Sequence, residues 1–161
     1  DIQRSRGLGD VYKRQDLLLG CDQVTASAYA SLIASNRGKV LLNSGFIPTA
    51  QFVADNNMPL TTDVAPLVFD HFDCQAFDAN TAARRLFGDL AAVNVLMLGF
   101  AFQRDCLPLS EHALRRAIEL NGVAVQENLD AFAWGRIIAV DESAINSLEP
   151  SQVLDLSLIH I

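Results

Sequence analysis

The fold is decided by Asp16–Asn43, DLLLGCDQVTASAYASLIASNRGKVLLN. Asp16–Cys21 is a short apolar run that closes on Gly20, the pattern of a buried strand. Asp22 suits the start of a helix, and Val24–Ala34 is Ala-rich with Tyr29, Leu32 and Ile33 giving it one apolar face. Asn36-Arg37-Gly38 reads as a turn, and Lys39–Asn43 as a second buried strand. Strand, helix and strand over this span predict a βαβ crossover, which requires parallel strands.

Working outward, Phe46–Asp55 holds Pro48-Thr49 near its start, where Thr49 suits a short helix or turn. Asn56–Thr62 reads as loop, and Asp63–Phe72 as a short helix with Pro66 in its first turn. Gln75–Asp78 is a strand candidate, followed by a helix over Asn80–Leu86 with Asn80 as its cap. Gly88-Asp89 separates this from Leu90–Phe102, LAAVNVLMLGFAF, which is apolar nearly all round and is expected to be a buried helix. Pro108 breaks the chain. Ser110 is expected to cap Glu111–Leu120, Asn121-Gly122 to stop it, and Ala124–Ile138 to form a last helix. Val140–Pro150 is polar and reads as linker. The expected class is α/β: a small parallel sheet with flanking helices, then a helical C-terminal half.

The two ends read differently from the middle. Asp10–Gln15, DVYKRQ, can be encoded by GAT GTG TAT AAG AGA CAG. The reverse complement of that DNA, CTG TCT CTT ATA CAC ATC, encodes Leu156–Ile161, LSLIHI. The DNA resembles the transposase end used in sequencing libraries, and Ser5–Gly9 fits the adaptor before it. Residues 1–15 and 156–161 are therefore expected to be adaptor-derived, with a domain over 16–139, a linker over 140–155 and natural sequence missing at both sides.

The whole chain carries 12 basic and 19 acidic residues. Setting aside Arg4, Arg6, Lys13, Arg14, Asp1 and Asp10 leaves eight basic and seventeen acidic, a net charge of −9. That balance argues against nucleic acid, whose phosphates need clustered Lys and Arg. No apolar run approaches the roughly 20 residues of a membrane span. Cys21, Cys74 and Cys106 are widely spaced and odd in number, which suits buried free thiols in a cytoplasmic protein.

Chemistry-bearing motifs are sparse. There is no GxGxxG or Walker loop. His71 stands between Asp70 and Asp73 without a second histidine at ligand spacing, and His112 falls in a helix first turn, a surface position. No catalytic residue and no metal site is assigned. Two candidates for cofactor binding remain. Asn43 ends a parallel strand, where ligands approach open α/β sheets, and pocket lining and turn formation are equally compatible with it. Asn94 is an amide inside an apolar helix, where burial without a partner would cost a few kcal/mol. It is expected to bond to backbone, with ligand contact as the alternative. Phe132 and Trp134 suit core or interface packing, with an aromatic platform for a cofactor as the alternative.

Two longer strings carry a resemblance. FGDLAAVNVLMLGFAFQR and LPLSEHALRRAIELNGVAVQENLDAFAWGR, within Phe87–Arg136, are similar to the gamma portion of the 2-oxoacid:ferredoxin oxidoreductases. The similarity is greatest to the fused indolepyruvate ferredoxin oxidoreductase family. DLLLGCD at Asp16–Asp22 and VLLNSGFIPTAQF at Val40–Phe52 also fit, although Asn43-Ser44-Gly45 stands where the family would have Asn-Thr-His. The resemblance implies oxidative decarboxylation of a 2-oxoacid on thiamine diphosphate, with electrons passed through iron–sulfur clusters to ferredoxin and an acyl-coenzyme A product. In the family, thiamine-binding and iron–sulfur domains hold those cofactors. This chain lacks the thiamine Gly-Asp-Gly motif and cluster cysteines, so none is expected to be bound here and no catalytic residue is carried over. The implied role is architectural and inactive alone, within a homo-oligomer. The alternative is a non-catalytic assembly domain that binds partner subunits.

Overall fold

A computed structural model describes residues 16–30, 33, 38–45 and 72–147. The readings made above for Phe46–His71 lie outside the described residues, as do the Asn36-Arg37 part of the first turn and both ends. The chain divides into two compact units between Phe77 and Asp78.

The first unit holds β1 (Leu17–Gly20), α1 (Gln23–Ala28), β2 (Lys39–Asn43) and β3 (Asp73–Phe77). The sheet is parallel throughout, in the order β1-β2-β3, with Leu18 opposite Val40 and Val40 opposite Cys74. The middle strand is the most deeply buried, as an apolar strand with a neighbour on each side should be. Val40 and Leu42 form a core with Ala26 and Ile33, against which Leu18, Ala30, Phe72 and Cys74 pack. Gly20 is required by close approach. A Cβ there would lie 2.6 Å from Leu42 Cδ2 and 2.7 Å from Ala26 Cβ, so a side chain would push α1 off the sheet. Asp22 caps α1 as read from the sequence, its carboxylate accepting from Thr25 N at 2.7 Å. The described helix stops at Ala28, short of the expected Ala34.

The second unit is helical: α2 (Ala79–Phe87), α3 (Val93–Gln103), α4 (Glu111–Asn121) and α5 (Val125–Val140), then a 3-10 helix over Glu142–Ser147. The cap of α2 is Asp78 rather than Asn80. Its two carboxylate oxygens accept from Thr81 N (2.8 Å) and Thr81 Oγ1 (2.6 Å), which starts the helix one residue earlier and draws Asn80 into the buried first turn. The α3 helix begins later than expected. Asp89 Oδ1 accepts from Ala91 N at 2.8 Å, and this side-chain turn competes with helix over the residues before Val93. Ser110 caps α4, and Gly122 stops it at φ +71°. Residues 142–147, read from the sequence as linker, instead form the 3-10 helix, with Ile145 buried.

Only Leu114 and Ile118 of α4 are buried, one turn apart on a single face. They pack with Phe132, bordered by Val95, Leu98, Phe102, Leu107 and Leu129. Trp134 is buried as well, so both aromatics of the last helix serve the core. Among the described residues no helix is long and apolar enough to cross a membrane.

Candidate functional site

Ligands of parallel sheets approach the carboxyl ends of the strands, so the turns after β1 and β2 form the candidate site of the first unit. Asn43 closes β2 and is almost completely buried. Its Nδ2 donates to the Cys21 carbonyl at 3.0 Å, and its Oδ1 accepts from Gly45 N at 2.9 Å. Gln23, buried in the first turn of α1, returns the link: its Nε2 donates to the Ser44 carbonyl at 3.0 Å. Ser44 N donates to the Phe77 carbonyl at 2.9 Å. Two amide side chains thus clasp the turns after β1 and β2 together.

Asn43 takes part in the turn. Both ends of its amide are bonded to backbone, which offsets the cost of burying them. The start of α1 is likewise occupied by its own Asp22 carboxylate. Beside it, Cys21 is a half-buried free thiol, and burial raises its pKa above the ordinary thiol value. Cys74 and Cys106 are also outside any disulfide and half-buried, less sequestered than the sequence suggests.

Asn94 is not the buried amide that the sequence leads one to expect. It lies in the first turn of α3 on an exposed face and needs no buried partner. Apolar composition alone hid this, because the helix leaves one narrow side outside its packing. Asp73 and His112 are exposed, and His71 lies outside the described residues.

The second unit has a polar hub that the sequence did not single out. Arg136 Nε donates to Gln103 Oε1 at 3.0 Å, and Arg136 Nη1 lies 2.9 Å from Glu111 Oε1. The guanidinium also sits 5.4 Å from the centre of the Phe102 ring. One side chain of α5 therefore ties the end of α3 to the start of α4. A basic residue following Ala131, Gly135 and other small or apolar residues of α5 was the one signal that could have marked it.

An open groove of about 360 Å³ runs beside α2, lined by Asp78, Thr81, Arg85 and residues of the 3-10 helix. Among the described residues no three His, Cys, Asp or Glu side chains converge to hold a metal ion. The arrangement is a clasped strand edge in one unit and a pinned helix bundle in the other. No family model, curated protein or solved structure matches the chain.

Proposed function

We propose that this chain is a piece of the gamma portion of a ferredoxin-dependent 2-oxoacid oxidoreductase of the indolepyruvate type. It serves the enzyme as architecture and is inactive alone. The observation that carries the reading is the similarity of Phe87–Arg136, above all ELNG followed by AFAWGR. The physical roles of those residues support an architectural assignment: Gly122 ends a helix, Phe132 and Trp134 fill the core, and Arg136 pins three helices. The chemistry, decarboxylation and electron transfer, would be supplied by thiamine diphosphate and iron–sulfur clusters on partner domains of the same enzyme, with ferredoxin as acceptor. The test is to read the source gene on both sides of Asp16–Asp155. A thiamine-binding domain and cluster cysteines in the same frame or operon are expected, and their absence would sink the proposal.

A second reading, an assembly domain without a role in catalysis, is favoured by the turn between α4 and α5. Leu120 and Val123 are exposed there on either side of Asn121-Gly122. The two readings separate in one assay. The chain reconstituted with its neighbouring domains supports 2-oxoacid-dependent dye reduction on the first reading. On the second it binds them without changing turnover.

A further inference from the structure

The chain leaves α5 at Val140 and turns back on itself. Asp141 Oδ1 accepts from Ser143 N at 2.9 Å and from Ser143 Oγ at 2.6 Å, which fixes the turn. Glu142–Ser147 then follows as a 3-10 helix, whose hydrogen-bond geometry is poorer than that of an α-helix.

The fastening of this segment is narrow. Ile145 is buried, while Glu142, Ser143 and Asn146 are exposed. Across from it, Arg85 of α2 donates from Nη1 to the Ile145 carbonyl (3.3 Å) and to Asn146 Oδ1 (3.0 Å). Ile145 and the Arg85 guanidinium therefore both fasten a segment whose other described side chains are mostly exposed. Few buried contacts and exposed backbone hydrogen bonds mark the parts of a protein that open first. The pairing of α3 with α5 is the opposite case, with backbone against backbone at Gly99 and Gly135.

We infer that Asp141–Ser147 is a strap that releases and closes as one piece on the helical unit, with Arg85 as its fastening, while α3 and α5 remain paired. Release withdraws Ile145 from its buried seat and takes away the groove wall that the strap forms opposite Asp78 and Thr81. It also frees the Arg85 guanidinium next to Arg84, so that two adjacent cations of α2 become available at once. In the closed state the strap itself occupies one of them.

The test is native-state hydrogen exchange on the full chain, read by mass spectrometry over the strap and over α3 and α5. In the unsubstituted protein the amides of residues 144–147 are expected to exchange through an opening that leaves α3 and α5 protected. Arg85→Ala should speed their exchange roughly tenfold or more, with α3 and α5 unchanged. Asn146→Ala, which removes one of the two acceptors, should give a smaller factor and serves if Arg85→Ala fails to fold. Protection of the strap equal to that of α5, or strap exchange unmoved by the substitutions, overturns the inference.

Discussion

Gly99 of α3 and Gly135 of α5 face each other with backbone against backbone. A Cβ on Gly99 would meet the Phe132 carbonyl oxygen and stand 3.2 Å from Gly135 Cα. A Cβ on Gly135 would meet the Leu96 carbonyl oxygen and stand 2.9 Å from Phe100 N. Ala131 and Ala139, one turn to either side of Gly135, are also buried and small. The crossing is therefore set by absent side chains, and its two walls are main chain that cannot rotate away.

Gly135→Ala follows from that geometry. In an exposed helix the change would stabilise by up to about 1 kcal/mol. Here the methyl group has only backbone to meet, and overpacking of this kind costs about 3 kcal/mol. Urea unfolding followed by helical circular dichroism should show a loss of roughly that size. An unchanged or higher midpoint would mean that the helices do not meet as described.

Arg136→Met keeps an apolar stem and removes the links to Gln103 and Glu111 together with the guanidinium over Phe102. Glu111 is substantially exposed, so solvent screens the pair and the coupling is modest. A double-mutant cycle with Glu111→Gln should return a coupling of about 1 kcal/mol or less, falling as salt is added. A coupling of zero at low salt would remove Arg136 as the pin between α4 and α5.

Asn43→Asp tests the clasp. The substitution keeps an acceptor for Gly45 N but sets an anion against the Cys21 carbonyl in a buried site. Burial raises the folded pKa of the introduced carboxyl above its unfolded value. The neutral form is then the tolerated one, and stability falls as pH rises through that range. The penalty is expected to be about 2–4 kcal/mol at pH 7 and smaller near pH 4. A penalty independent of pH would indicate that Asn43 does not donate to that carbonyl.

Gly122→Ala places a side chain at φ +71°, in the left-handed region where L residues are strained. Nothing lies within 4 Å of the added Cβ, so the cost is conformational alone, about 1 kcal/mol. Gly122→Asn should cost less, since Asn tolerates this conformation. Equal costs for the two would point to a steric origin instead.

Cys21 should be the most telling thiol in alkylation. Its pKa is raised by burial, so the folded chain holds less thiolate at pH 8 than the unfolded chain does. Stability from the neutral thiol is complete below the unfolded pKa and is lost as pH rises through the folded one. Peptide mapping after iodoacetamide treatment should show Cys21 labelled more slowly in the native protein than in urea. Equal rates would show the thiol to be open.

Much of the chain was legible because its signals are local. The strands at Leu17–Gly20 and Lys39–Asn43, the Asp22 and Ser110 caps and the Gly122 stop each depend on residues within one turn or one strand. Asp78 was missed as a cap because Asn80 offered the same chemistry two residues later, and only the bonds to Thr81 decide between them. Asn94 was misplaced because an apolar stretch records how greasy a helix is and not which side faces water.

Local signals in the chain fix most of the elements, their order, and the α/β class with a helical second half. The chain also carries the string in Phe87–Arg136 on which the functional proposal rests. The contacts of Asn43, Gln23, Gly99, Gly135 and Arg136 emerge only when distant segments pack. Asn43 meets a carbonyl 22 residues away, and Arg136 an amide 33 residues away. Such pairings are set by how closely two backbones approach once the core has formed. A spacing of apolar and polar residues along one chain segment carries no record of that distance.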